Sequence, residues 1–163
     1  MKITSIKDFD INNGEGVRVS LWVSGCHFHC DGCHGEAYWE TSSGKDFSED
    51  HIDKIIKLLE KDISKDLSIL GGEPLEPYNI LGVTELCKII KEEYPSKTIW
   101  VWTGNIFENI KGFDVLNYVD VLIDGQFVKS LYDEKLMWRG SSNQRVIDCK
   151  ESLKQNKVIL YTK

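Results

Sequence analysis

An α/β fold with a mostly parallel sheet is the architecture the sequence predicts, and three observations predict it. Short apolar runs alternate with longer segments of helical periodicity, the pattern of βαβ units joined by right-handed crossovers. Four of those runs stop at a turn that carries glycine: Gly25, Gly71-Gly72, Thr103-Gly104 and Asp124-Gly125. The chain has 163 residues, 41% hydrophobic and 28% charged, the size and makeup of one globular domain. A complete eight-fold β/α barrel, at about 250 residues, would not fit.

The elements follow in order. Residues 16–24 (GVRVSLWVS) place Val17, Val19, Leu21 and Val23 on one side, a half-buried strand. From Ser48 a helix is expected: Ser48 can cap it, Glu49 and Asp50 suit the positive end of its dipole, and Ile52, Ile55, Ile56 and Leu59 recur at helical spacing. Residues 67–70 (LSIL) read as a strand buried on both faces. A second helix spans about 80–94, with Val83, Leu86, Cys87 and Ile90 on its apolar face. Strands are expected at 97–102 and 118–123, with a weakly helical stretch at 106–117 between them, and two more at 145–149 and 157–161. No linker, repeat or low-complexity tract divides residues 1–163, so a single domain is expected.

Charge and composition exclude several classes of function. Twenty basic against twenty-six acidic residues give a net charge of −6 with no basic block, which argues against direct nucleic-acid binding. No apolar run approaches the ~20 residues of a membrane span, and the first residues lack the apolar core of a signal peptide. A cytoplasmic location, where thiols stay reduced, is the expectation. In open parallel sheets ligands sit beyond the carboxyl ends of the strands, which selects residues 26–33, 71–74, 103–105 and 124–126.

The cysteines carry most of the chemistry. Five are present, an odd number that does not suit a disulfide framework, and Cys26, Cys30 and Cys33 form a C-x3-C-x2-C cluster. Three thiolates on one tight loop can wrap a soft metal centre: zinc, copper(I) or iron-sulfur. A structural zinc site would need a fourth donor from His27, His29, His34, Cys87 or Cys149. Three clustered thiolates without an evident fourth suit an iron-sulfur cluster with one iron left open. Cys87, on an apolar helix face, and Cys149, at the end of a strand, are expected in the core, and His51 on the surface of a first helical turn. Trp22, Trp100 and Trp102 are expected to pack, and Trp39 to cover the cluster or join the core.

C-x3-C-x2-C after a first strand resembles the cluster motif of the radical S-adenosylmethionine superfamily. Residues 13–34 (NGEGVRVSLWVSGCHFHCDGCH) resemble the opening of its glycyl-radical-enzyme activases, and Gly71-Gly72-Glu73-Pro74 resembles its GGEP motif. Residues 100–105 (WVWTGN), 120–127 (DVLIDGQF) and 138–145 (WRGSSNQR) are similar to the activases of anaerobic ribonucleoside-triphosphate reductases. The likeness runs from about residue 10 to residue 149, with one departure: Glu15 stands where the opening motif commonly has proline.

The resemblance implies a partial (β/α)6-type radical SAM barrel, open on one side. It implies a [4Fe-4S] cluster on Cys26, Cys30 and Cys33, whose open iron chelates S-adenosyl-L-methionine. One-electron cleavage would yield methionine and a 5'-deoxyadenosyl radical, which takes an α-hydrogen from a glycine of the reductase's glycyl-radical subunit. Gly71, Gly72, Glu73 and Pro74 would hold the methionine amino group, and Thr103, Asn105 and Asp124 the ribose or carboxylate. Arg18, Trp138, Arg139, Asn143 and Arg145 would shape the site or dock the partner. A flavodoxin-type electron donor and a homodimer are further implications.

Overall fold

The computed structural model describes residues 1–162 as one seven-stranded sheet with helices packed against it. Its elements in chain order are β1 (Lys2–Asp10), β2 (Val17–Val23), β3 (Lys45–Asp46), α1 (Glu49–Lys61), β4 (Lys65–Gly71), α2 (Ile80–Glu93), β5 (Ile99–Trp102), α3 (Phe107–Ile110), β6 (Val121–Asp124), β7 (Arg145–Asp148) and α4 (Cys149–Gln155). The spatial order is β3-β1-β2-β4-β5-β6-β7, and the sheet does not close. β2, β4, β5 and β6 pair in parallel; β1 and β7 run against them at the flanks. Among the described residues no helix is long and apolar enough to cross a membrane.

Several elements differ from expectation, the two-residue β3 among them. β1 appears where no strand was expected, because KITSIKDFD lacks clean alternation and its pairing with β2 is irregular between Ile3 and Ser5 and between Lys7 and Asp10. The strand expected at 145–149 stops at Asp148, whose carboxylate accepts from the Glu151 N–H (2.9 Å) and so starts α4 at Cys149. Residues 157–161 are not a strand: they make a single bridge, Leu160 to Ile147. The weakly helical stretch at 106–117 resolves into the one-turn α3 and a 3₁₀ turn at Asp114–Asn117. At the head of α1 the Ser48 N–H donates to His51 Nδ1 (3.1 Å), so His51 has a capping role besides its surface position.

Strand alternation gives the sheet two unlike faces. Val19, Leu21, Val23, Leu67, Ile69, Ile99 and Val101 join Ile55 and Leu59 of α1 and Val83, Leu86, Cys87 and Ile90 of α2 in the main core. Each such side chain contributes roughly 1.5–3 kcal/mol through burial. Cys87 and Cys149 both lie in this core, as expected. The opposite face carries Trp100, Val121 and Ile123 with Trp102, Trp138 and Tyr161. It is covered by the lead-in loop before β2, by the segment between β6 and β7, and by the C-terminal tail.

Arg18 belongs to this loop-covered face but to the wrong end of it for the expected role. It is fully buried at the start of β2, whereas the cysteines follow the end of that strand. Its guanidinium donates to Ser68 Oγ (2.6 Å), to the carbonyls of Glu15 (3.0 Å) and Leu67 (2.7 Å), and to the Thr98 carbonyl (3.0 Å). Burial pulls it down to about 10, against the attraction of Asp66 and Asp120. Arg18 therefore ties the lead-in loop to β4 and to the entry of β5.

Candidate functional site

The carboxyl ends of the four parallel strands open onto a cavity of about 530 Å³. Cys26, Cys30 and Cys33 all line it and all are half-buried. The loop that carries them leaves β2 through Gly25, at φ +90°, and is held at its root by Gly25 N–H to the Tyr38 carbonyl (2.7 Å) and Cys26 N–H to the Trp39 carbonyl (2.9 Å). Left-handed residues at His29 and Gly32 then turn the chain back within the stretch from Cys26 to Cys33, and all three cysteines line the same cavity.

The sulfurs are met by backbone donors. Gly35 N–H donates to Cys33 Sγ (3.2 Å), the Phe28 and His29 amides to Cys26, and the Phe127 amide, from the segment after β6, to Cys30. Burial pushes the Cys26 thiol up to about 11 and raises Cys30 as well, so these thiols stay protonated until a metal displaces the proton. Among the described residues no group of three or more His, Cys, Asp or Glu side chains is gathered to hold a single ion. None of the three nearby histidines completes such a set: His27 pairs with Glu76, His29 stacks on Trp39, and His34 lies beside Phe127 and Tyr132.

Beside the cysteine loop, β4 ends at Gly71 and runs on into Gly72-Glu73-Pro74. A Cβ on Gly71 would sit 2.5 Å from the Val23 carbonyl oxygen, and one on Gly72 2.5 Å from that of Gly25, so only glycine lets the two loops approach. Gly72 N–H to Val23 O (2.9 Å) and Glu73 N–H to Gly25 O (2.7 Å) fasten that approach. The Glu73 carboxylate, 1% exposed, accepts from Leu75 N–H (2.8 Å), Thr103 Oγ1 (2.8 Å) and Gly104 N–H (2.7 Å). Desolvation still raises it to about 7, despite those three donors.

The other expected contacts divide. Thr103 lines the cavity, with its hydroxyl committed to Glu73 and accepting from the Asn105 side chain (3.0 Å); Asn105 does not line the cavity. Asp124 is buried away from it, held by Arg145 Nε (2.9 Å) and Nη2 (2.5 Å) and by the Phe107 N–H (2.8 Å). Arg145 also grips Glu108, which that contact lowers to about 2. Trp138 and Arg139 do line the cavity; Asn143 is exposed and donates to the Gln126 carbonyl (2.8 Å).

Residues that sequence reasoning passed over complete the walls. Trp22 was expected only to pack, yet it lines the cavity and its Nε1 is buried without a hydrogen-bond partner. Gln144 sits inside a motif quoted above but received no role; its Oε1 accepts from Gly140 N–H (2.9 Å) and Ser141 N–H (3.1 Å) while its Nε2 donates to the Gly125 carbonyl (2.9 Å). Trp39 is half-buried against His29 rather than in the core.

Comparison with known proteins adds an independent finding. Residues 12–147 match the family described as a 4Fe-4S single cluster domain. The chain is 40% identical over 146 residues to the anaerobic ribonucleoside-triphosphate reductase-activating protein of Enterobacteria phage T4, covering 90% of this chain and 93% of that one. It is 42% identical over 141 residues to the protein of that name from Escherichia coli K12, covering 84% and 92%. With the Vibrio cholerae serotype O1 protein of the same name, identity is 41% over 139 residues, covering 83% and 90%. Motifs, site geometry and near full-length identity agree, and the chain belongs to the anaerobic ribonucleoside-triphosphate reductase-activating protein family, with a 4Fe-4S single cluster domain.

Proposed function

We propose that this protein installs a glycyl radical on the glycyl-radical subunit of an anaerobic ribonucleoside-triphosphate reductase, as a radical S-adenosylmethionine enzyme of the cytoplasm. The observation that carries the reading is that Cys26, Cys30 and Cys33 line one cavity together with Gly71, Gly72 and Glu73. The residues fit the implied groups. Three sulfur donors match a [4Fe-4S] cluster with an open iron, the Trp22 Nε1 is buried without a hydrogen-bond partner, and desolvation raises the Glu73 carboxyl although it accepts three hydrogen bonds. When bound, the reduced cluster supplies the one electron that cleaves S-adenosylmethionine to methionine and the 5'-deoxyadenosyl radical that takes the glycine hydrogen.

The chain's own residues hold and orient. Cys26, Cys30 and Cys33 ligate as thiolates, and the Phe28, His29, Gly35 and Phe127 amides stabilise negative charge on their sulfurs. Glu73 receives the cationic amino group, which draws the carboxyl to its ionised form, while Pro74 fixes φ in the loop. Thr103 acts through Glu73; Asn105 and Asp124 act by bracing the ends of β5 and β6. Arg139 keeps guanidinium donors for an anion or for a backbone carbonyl of the partner, having one bond to the Gln144 carbonyl (2.5 Å). An open seven-stranded sheet with four parallel strands at its centre supports the reading of a partial (β/α)6-type barrel whose open side admits the partner's glycine. A flavodoxin-type electron donor and a homodimer complete the reading.

Anaerobic reconstitution tests it. The protein binds about four irons, cleaves S-adenosylmethionine to 5'-deoxyadenosine once reduced with dithionite, and gives a doublet glycyl signal in electron paramagnetic resonance when mixed with the reductase. A Cys30→Ala protein that keeps full cleavage sinks the proposal.

A further inference from the structure

We infer that Glu76 is a positioning residue that locks the cysteine loop onto the glycine-glycine loop and so fixes the place of Cys26 relative to the cosubstrate cradle. What it positions rests on the function proposed above; that it tethers the two loops rests on geometry alone.

The two loops leave neighbouring strands, β2 and β4, and their roots are joined by backbone bonds from Gly72 to Val23 and from Glu73 to Gly25. Asn79 reinforces the roots, its Nδ2 reaching both the Ser24 carbonyl (3.0 Å) and the Glu73 carbonyl (3.1 Å). Those ties reach no further than residue 25. Past that point Glu76 takes over: its Oε1 accepts from the His27 backbone N–H (2.8 Å) and pairs with His27 Nδ1 (2.5 Å). His27 is the residue directly after the ligand Cys26.

Glu76 can serve as a fixed post because its own backbone is set. Its N–H donates to the Glu73 carbonyl (3.3 Å), and its carbonyl accepts from Asn79 N–H (2.8 Å) and Ile80 N–H (2.8 Å) at the entry to α2. The residue is 5% exposed, whereas the His27 side chain is 63% exposed. A buried carboxylate is costly without partners, and both of its partners here belong to the cysteine loop. The same short stretch thus carries Glu73 into the cradle and Glu76 into the ligand loop, three residues apart.

Wild type, Glu76→Gln and Glu76→Ala proteins are compared in two measurements. The first is the change that added S-adenosylmethionine makes in the electron paramagnetic resonance of the reduced cluster, titrated to its midpoint. The second is hydrogen exchange at the His27 amide in the iron-free protein. Removal of such an outer partner weakens a site by about 10–100-fold, so Glu76→Ala raises the midpoint about tenfold at unchanged iron per chain and speeds His27 exchange. Glu76→Gln, whose carbonyl oxygen takes the same N–H, stays within about twofold of wild type in both. An unchanged midpoint and exchange rate in Glu76→Ala overturns the tether, as does a Glu76→Gln protein as impaired as Glu76→Ala. If Glu76→Ala takes up no iron, His27 exchange decides the point. A wild-type cluster signal indifferent to S-adenosylmethionine fails the proposed function instead, and His27 exchange still reads the tether.

Discussion

Glu73 is the residue where burial and charge oppose each other most directly. Its carboxyl stands at about 7 in the folded protein against 4.5 for the free group, because desolvation outweighs three hydrogen-bond donors. A raised carboxyl means that the unfolded chain gives up its proton first as pH rises. Stability from this group is therefore full below about 4.5 and lost between there and about 7, a loss of roughly 3 kcal/mol by pH 8. Glu73→Gln removes the dependence: denaturant unfolding of the iron-free proteins shows the variant gaining on wild type by up to roughly 3 kcal/mol between pH 4 and pH 8, and an unchanging difference refutes the assignment. The proposed function adds a second outcome, weaker S-adenosylmethionine binding by the same variant. The glycines beside Glu73 were legible in sequence as a motif, but the 2.5 Å approaches that demand them were not. Thr103, Asn105 and Asp124 were read as facing a ligand because polar groups at strand ends often do. In the fold, nearer partners claim them first: a carboxylate, a hydroxyl and an arginine.

At the level of elements, periodicity revealed what buries a regular stripe. α1, α2, β2 and the parallel strands β4, β5 and β6 were all expected, since each puts apolar side chains into the helix-side core. β1 was hidden because its polar residues are used locally: Asp10 accepts from the Asn12 and Asn13 amides and from Ser20 Oγ, and Lys65 reaches Asp8 (2.6 Å). α4 was hidden by its brevity and by the apolar residues after it, Val158 and Ile159, which imitate a strand. β7 and α3 are joined to β6 by one side chain, because Arg145 bridges Asp124 and Glu108. Asp124 is almost wholly enclosed, so Arg145→Ala strands a buried carboxylate and costs about 3 kcal/mol or more. A double-mutant cycle with Asp124→Asn measures it: the second change recovers a large part of the loss, and simple additivity would show that the pair is not coupled.

For the whole molecule, the decisive fact is that helices cover one face of an open sheet and loops cover the other. The five cysteines report on this arrangement. Cys87 and Cys149 lie in the helix-side core, where burial pushes both thiols up to about 12, while Cys26, Cys30 and Cys33 stand half-exposed at the cavity. Alkylation of the native iron-free protein, followed by mass analysis, accordingly modifies three thiols, and the remaining two react only in denaturant. Modification of Cys87 at a comparable rate would contradict the placement of the core. The motifs that carried the family resemblance were legible one by one, but their convergence needed the topology. The lead-in motif also gained a meaning that sequence did not offer: Glu15, standing where proline is common, accepts a hydrogen bond from the Tyr161 hydroxyl (2.6 Å) and holds the C-terminal tail over Trp100.

The two faces of the sheet also divide how the molecule can change over generations. A substitution under α1 or α2 is felt as stability, shared by every strand that leans on the same core. The segment between β6 and β7 has Val128, Leu131 and Met137 exposed while Phe127, Tyr132, Leu136 and Trp138 line the cavity. With Gln144 pinning the base of that segment to Gly125, its outer residues can diverge while the frame stays put. A library randomised at Val128, Leu131 and Met137 varies that outer surface while leaving the cavity wall and the helix-side core as they are.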